Sequence, residues 1–421
     1  MSAPAPADPS PQPDTAAAPP PGPGWQRRFW LIFSGQALSM IGSAMTQFVL
    51  LWWITDTTGD VAALGLAGMA ALLPQALLGP LGGILADRYS RRLLMIAADL
   101  ISALCMAALI ALFLTQRVAL WHIYALMAVR SAMQALQQPA ASASTAMLVP
   151  AHFLPRAAGL NQSLLGIMTV GAAPLGALAM SLMPVGWALG IDVITALLGI
   201  TPLLIFAIPQ PPASARRSLW REFREGVSAI WQRPGLRQLY LLMTAAIFLV
   251  MPLFTLVPLL VKTHFGGGAG QVALFEGLSG LGMIAGGALM AALAPRRQVP
   301  WILWGFAASS LAIALTALAP GHQPWLGVLC WAISGITFTI GNAPFMALLQ
   351  SRVPNRLQGR VLSLLNTLTG LAAPLGLALA TPLGQAIGAR WLFVALGTAG
   401  ALAILPGLAS QALRKLDHPS P

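Results

Sequence analysis

The sequence predicts an all-α membrane protein of twelve transmembrane helices arranged as two pseudo-symmetric six-helix bundles. Three observations carry this expectation. The 421-residue chain is 57% hydrophobic and only 8% charged, whereas soluble domains carry roughly 25% charged residues. Its apolar residues gather into twelve runs of about the length that a bilayer demands, ~20 residues, joined by short loops. The pentapeptide AAPLG occurs at Ala172–Gly176 and again 200 residues later at Ala372–Gly376.

In lipid every backbone group must be satisfied internally, and runs of this length do that as helices. The first half gives Phe29–Ile54, Val61–Ala86, Leu93–Leu114, Leu120–Ala141, Ala157–Leu182 and Trp187–Ile208. The second gives Leu239–Val261, Val272–Leu293, Trp301–Leu318, Trp325–Leu349, Val361–Ile387 and Trp391–Leu408. Trp30, Trp121, Trp187, Trp325 and Trp391 stand at span ends, where amphipathic rings meet the headgroups.

The repeat extends beyond AAPLG. Arg156, Ser163, Leu164, Leu165 and Thr169 match Arg356, Ser363, Leu364, Leu365 and Thr369 at the same offset. Span 5 thus resembles span 11 in the same orientation, which implies a parallel six-plus-six repeat like that of two-halved transporters.

Residues 1–24 are rich in Pro and Ala without an apolar core, so they read as a disordered cytosolic tail and not a signal peptide. The bundles are expected at 25–208 and 238–413, with a second cytosolic tail at 414–421. Residues 209–237 form the linker. There Trp220, Phe223, Val227, Ile230 and Trp231 recur at helical spacing after Ser218, a candidate cap, and before Pro234. An amphipathic helix on the membrane or protein surface is expected.

The stretch Gly82–Met95, GGILADRYSRRLLM, fixes the orientation. It places Asp87, Arg88, Arg91 and Arg92 between two spans, and a short basic loop belongs in the cytosol. With both termini inside, all but four of the 23 Lys and Arg residues are cytosolic. Arg117, Lys262 and Arg390 fall outside, and Arg130 falls within a span. The net charge of +12 therefore marks inside-facing loops rather than a nucleic-acid surface. Cys105 and Cys330 lie in separate apolar runs and imply neither a disulfide nor a metal cluster.

Charged groups inside spans are costly and are functional candidates by default. Four occur: Asp99, Arg130, Asp192 and Glu276. At 1.5 Å rise per residue, Arg130 lies about 15 Å deep, near the midplane. Asp99 lies about 9 Å from the cytosolic face, and Asp192 and Glu276 about 6–8 Å below the outer face. Arg130 either faces a cavity or locks spans 3 and 4 together by pairing with Asp99. Asp192 either titrates or caps the start of span 6. Glu276 opens FEGLSGLGMIAGG, a face of small residues, and either titrates in a cavity or pairs within its own half. Gly171, Pro174 and Gly176 on span 5, with Pro374 and Gly376 on span 11, bring close packing and a bend.

No HExxH, Walker loop or GxSxG occurs, so no enzyme constellation and no cofactor are expected. Without a nucleotide site, transport must draw on a gradient. One charge crossing about 150 mV carries ~3.5 kcal/mol, enough for a solute ratio of a few hundredfold.

From residue 25 to about 415 the chain resembles the major facilitator superfamily. GGILADRYSRR resembles that superfamily's signature between spans 2 and 3, with Gly83, Asp87, Arg88, Arg91 and Arg92 in place. It departs at Ser90, where the pattern has Gly. Four segments resemble the macrolide-efflux and enterobactin-exporter branch: LLWWITDTTGDVAALGL, DRYSRRLLMIAADL, LWREFREGVSAIWQRPGLR and HFGGGAGQVALFEGLSGLGMIAGG. The resemblance implies a proton-antiporting exporter of a drug or siderophore. Arg130 stands where antiporters of the superfamily often carry a span-4 arginine, while GAAPLGA only loosely resembles their span-5 motif.

The leading expectation is a proton-coupled exporter of an amphipathic small molecule, multi-pass in the bacterial inner membrane. Its partners would be lipid, cargo and protons, and a monomer is expected. Spans rich in Met, Trp and Phe suit a bulky, partly apolar cargo. An importer or facilitator on the same fold is the alternative, since fold does not set direction. A membrane sensor would need a signalling domain, for which tail and linker are too small. Glu276 is expected to carry the proton, with Asp192 as alternate and Arg130 as the cation that favours its release. Asp87 is expected to latch onto the N-terminus of span 11, or onto Arg360, when the inside is closed.

Overall fold

The computed structural model describes residues 24–208, 224, 227, 228, 230–353 and 355–417. Among these, every regular element is helical. The first half comprises α1 (Trp25–Thr58), α2 (Val61–Arg88), α3 (Arg91–Leu114), α4 (Leu120–Leu148), α5 (Leu154–Leu182) and α6 (Gly190–Ile205). The second comprises α7 (Pro234–Phe265), α8 (Ala269–Leu293), α9 (Gln298–Leu318) and α10 (Pro324–Arg352). A final run, Asn355–Ala409, is divided at Gly388, where φ is 82° and ψ is 159°. It gives α11 (355–387) and α12 (389–409), so all twelve expected spans are present.

Capping chemistry fixes several of the boundaries. Asp60 starts α2 by accepting from the Ala63 amide at 3.0 Å. The α1 and α7 ends are equivalent: each turns on a left-handed glycine, Gly59 at φ 61° and Gly266 at φ 64°. Such φ values carry a Cβ penalty for other residues. Polar helix ends extend past the apolar runs, so α4 reaches Leu148 and α10 reaches Arg352. The sixth span is shorter than expected. A separate turn, Val185–Ala188, precedes α6, which ends at Ile205.

Ten helical stretches are long and apolar enough to cross a membrane, one of them containing parts of both α11 and α12. α4 is not among them, because one side of it carries Arg130, Ser131, Gln134, Gln137 and Gln138. A helix this polar at membrane depth must face protein or water.

The halves repeat in packing as well as in sequence. A Cβ on Gly176 of α5 would lie 2.6 Å from Phe48 Cδ1 of α1, and one on Gly376 of α11 would lie 2.5 Å from Pro252 Cγ of α7. Each glycine thus admits the first helix of its own half. The halves meet along α2–α11 and α5–α8. Gly65 faces Thr381, and Gly280 faces Val170, at distances that leave no room for a methyl group.

The distribution of apolar cores is asymmetric along the molecule. At the end holding the α1–α2 and α7–α8 turns, one cluster draws on both halves, including Ile54, Leu64, Leu260, Val261 and Phe393. At the opposite end, where Trp25 and Arg352 lie, each half has its own core. Phe29, Met95, Leu148 and Leu203 form one, and Leu239, Phe306, Leu349 and Ile404 form the other. Among the described residues, the halves are therefore joined by a shared core at one end and carry separate cores at the end bearing the described termini.

Most of the 209–237 linker, including Ser218, Trp220 and Phe223, lies outside the described residues. Its last turn is helical, with Ile230 buried against the second half's core. The 1–23 and 418–421 segments also lie outside them. Asp417 is docked, accepting from the Gln298 and Val299 amides at 2.8 and 2.9 Å and so capping α9.

A polar cluster and a cavity between the halves

Three of the four intramembrane charges come together in the first half. The Arg130 guanidinium on α4 donates to Asp192 on α6 at 2.8 Å, with side chains only 7% and 4% exposed. Ser43 of α1 donates to the other Asp192 oxygen at 2.8 Å. The sequence offered Asp99 as the partner of Arg130, and a capping role for Asp192. The structure corrects both, since Asp192 is the third residue of α6 and points across to α4. The pair therefore ties α4 to α6, not α3 to α4.

Asp99 on α3 accepts from Gln36 Nε2 at 3.1 Å, and Gln36 Oε1 accepts from Gln137 at 2.6 Å. Asp99, Arg130 and Asp192 line one small pocket of about 40 Å³. It holds two carboxyl groups against one guanidinium.

Glu276 lies elsewhere. It is half-buried on α8 and makes no hydrogen bond or ion pair among the described residues, so pairing within its own half is not observed. It lines a cavity of about 370 Å³ between the halves, with Gln47, Leu51, Met168, Thr169, Phe254 and Trp331 among its walls. Gly277 and Gly280 beside it pack on Pro174 and Val170 of α5, which sets the carboxyl at the seam. A second cavity of about 260 Å³, lined by Arg130, Gln75, Gln134 and Gln138, shares Gln47, Ala71, Leu72 and Met168 with the first. A third of about 160 Å³ shares Met40, Gln137, Gln138 and Leu165 with the second and extends to Phe29 and Leu148, at the end where the halves carry separate cores.

The signature loop is built at that end. Ser90, at φ −58°, needs no glycine and caps α3 by accepting from the Leu93 amide. Arg91 is buried, donating to Ala86 O at 3.1 Å and Ala143 O at 3.2 Å, and it lies 3.5 Å from Asp87. Arg92 donates to the last carbonyls of α6, Leu203 and Leu204. Arg88 is exposed, and the Asp87 side chain is 63% exposed. Arg360 falls in α11, with its side chain outside the described residues. Gly83 meets nothing; the close approach is made by its neighbour Gly82, whose Cβ would collide with Ala135 O of α4. Gly171 likewise meets only Leu175 of its own helix, at 3.9 Å. Pro174 is exposed within α5 and Pro374 buried within α11.

Sequence reasoning missed the glutamine stripe of α4 and its contact with Gln36. The signal was present in the 134, 137, 138 spacing, which is one helical face. It also missed Lys262 of α7, which donates to Thr55 O at 3.3 Å and to Asp56 Oδ1 at 3.0 Å, across the joined end. Nothing local marks that contact.

A twelve-helix fold in two like halves, with a cavity between them and a charged side chain, Glu276, on its wall, defines a two-halved membrane transporter. The chain belongs to the Major Facilitator Superfamily, whose sequence profile matches residues 32–377. It is 30% identical over 398 residues to macrolide efflux protein A of Streptococcus pyogenes, covering 93% of this chain and 98% of that protein. It is 25% identical over 388 residues to the multidrug efflux pump Tap of Mycolicibacterium fortuitum, covering 89% and 94%. Among solved structures it resembles a bacterial homolog of the human lysosomal transporter Spinster, in an inward-facing and unoccupied conformation. That match has a TM-score of 0.73 and 17% identity, covering 95% of this chain and 99% of that one.

Proposed function

We propose that this transporter exports an amphipathic small molecule, of macrolide or siderophore type, in exchange for protons. The observation that carries the reading is Glu276, an unpaired carboxyl on the wall of the cavity between the halves. A group whose access to water changes as the halves rock can take up a proton on one side and release it on the other. The similarity to macrolide and multidrug efflux proteins supports the export direction and favours a macrolide-type cargo.

In this reading the protein lies in the bacterial cytoplasmic membrane with both termini and the signature loop in the cytosol. The conformation is then inward-facing: the halves share a core outside and carry separate cores inside. Cargo enters from the cytosol past Phe29 and Leu148 and reaches Glu276 through the glutamine-lined middle cavity. Arg130 faces that route while held by Asp192. Asp87, now held only loosely by Arg91, is free to meet the start of α11 when the inside closes. A proton taken from outside by Glu276 and released inside would drive each cycle.

The direct test is accumulation of a macrolide in cells with and without the protein, each with and without a protonophore. Lower accumulation that the protonophore abolishes supports proton-driven export; higher accumulation would indicate an importer. Cysteines placed at Ala213 and Gly268 should label from opposite sides. Labelling of both from outside would overturn the assigned topology.

A further inference from the structure

The small pocket inside the first half carries a charge that its own residues leave unbalanced. Arg130 is engaged by Asp192 at 2.8 Å. Asp99 is 8% exposed, and Gln36 meets only its Oδ2, through a neutral amide at 3.1 Å. Its Oδ1 accepts no hydrogen bond among the described residues. The groups around it are oxygen donors. Ser39 and Ser43 stand one turn apart on α1, and Ser102 follows Asp99 by three residues on α3, so each pair shares a helix face. All three serines line the pocket with the two carboxylates. Ser39 is 6% exposed, yet its hydroxyl has no hydrogen-bond partner among the described residues. Ser43 gives its proton to Asp192, and its oxygen keeps lone pairs to offer. Gln137 gives an amide N–H to Gln36 and keeps its own carbonyl oxygen.

The volume of about 40 Å³ admits an occupant of about water size and nothing as large as an amphipathic cargo. Water would satisfy the hydroxyls but not the charge, and a buried carboxylate without a cation is costly. Oxygen-only surroundings suit a hard cation, whereas most transition metals want His or Cys, and neither lines the pocket. Two carboxylates against one guanidinium leave a single negative charge, which matches a monovalent ion rather than Ca2+ or Mg2+. We infer that this pocket is a Na+ site, with Asp99 as its charged ligand and Ser39 and Ser102 as hydroxyl ligands. The ion ties α3 to α1 beside the Arg130–Asp192 pair, which ties α4 to α6. The inference is independent of Glu276, of the cargo and of the direction of transport, so its test and that of the export reading fail separately.

The test uses purified full-length protein at constant ionic strength in choline chloride, at about pH 8, where few protons compete for the carboxylate. Radioactive sodium should bind saturably, one ion per chain. The melting temperature should rise with added Na+ and not with equal K+, because an ion that binds only the folded protein stabilises it. Asp99→Asn keeps the shape and the Gln36 contact and should weaken sodium binding by about tenfold or more. Ser39→Ala keeps both carboxylates and should weaken it by about threefold or more; it carries the test should Asp99→Asn not fold. Sodium binding undiminished in either folded variant would overturn the inference, as would equal effects of Na+, K+ and choline on the wild type. Wild-type protein that binds no sodium and changes stability only with pH would show that Asp99 takes a proton instead of an ion, which also overturns it.

Discussion

Removing the Arg130 side chain should be among the most destabilising single changes in the first half. Arg130→Met leaves Asp192 4% exposed with only the Ser43 hydroxyl as partner. Breaking a buried pair from one side costs about 3–5 kcal/mol, because a desolvated charge is left behind. Asp192→Leu leaves the guanidinium in the same position and should cost a similar amount. Replacing both removes both charges, and exchanging a buried pair for apolar groups of like volume is often neutral. The double variant should therefore be more stable than either single one, with a coupling energy of at least about 2 kcal/mol. Unfolding of the detergent-solubilised protein, followed by heat and by denaturant, measures all four corners of the cycle. Transport by the double variant separates the pair's roles: a stable protein that no longer transports would show that Arg130 serves the cavity as well as the fold. A single variant as stable as wild type, or additive losses in the double variant, would refute the claim that the pair is buried and coupled.

Three further outcomes follow from the geometry. Lys262→Gln removes a half-exposed cross-half contact worth about 1 kcal/mol or less, so a cysteine placed at Leu64 should label up to roughly fivefold faster from outside; high salt should shrink the difference. Gly376→Val drives a side chain into Pro252 and Phe248 O, an overpacking cost of about 1–3 kcal/mol, whereas Gly171→Ala should leave stability unchanged; the melting temperatures of the two variants check this. Asp87→Asn should slow transport by reconstituted protein while leaving cargo affinity nearly unaffected, and unchanged rates would count against the latch.

The fold was legible because lipid restricts the possible structures. Twelve runs of sufficient length could only be helices, and the AAPLG repeat by itself pairs α5 with α11. The same repeat located Gly176 and Gly376, though not what they touch. The site was legible as a set of residues but not as an arrangement. Charges inside spans announce themselves by their cost, so Asp99, Arg130, Asp192 and Glu276 could all be found. Which acid meets Arg130 depends on how α3, α4 and α6 rotate and stack, and Asp99 and Asp192 are equally acidic in the sequence. The loop pattern pointed to Gly83, whereas the close approach to α4 is made by Gly82; one residue along a helix turns a side chain by about 100°. Lys262 was read only as an outside charge, because its partner Asp56 belongs to the other half. The sequence reading counted α4 as a span like the others and passed over its stripe of Gln134, Gln137 and Gln138, although their spacing places them on one helical face.

Uphill transport by reconstituted protein with an imposed pH gradient tests the central claim most directly, comparing wild type with Glu276→Gln. Wild type should concentrate a macrolide against its gradient when the opposite compartment is acid, and should lose this when the pH gradient is collapsed. The Gln variant should keep downhill movement of cargo but lose the uphill component. If Glu276→Gln concentrates cargo at the wild-type rate, Glu276 does not couple protons to transport and the account fails at its centre.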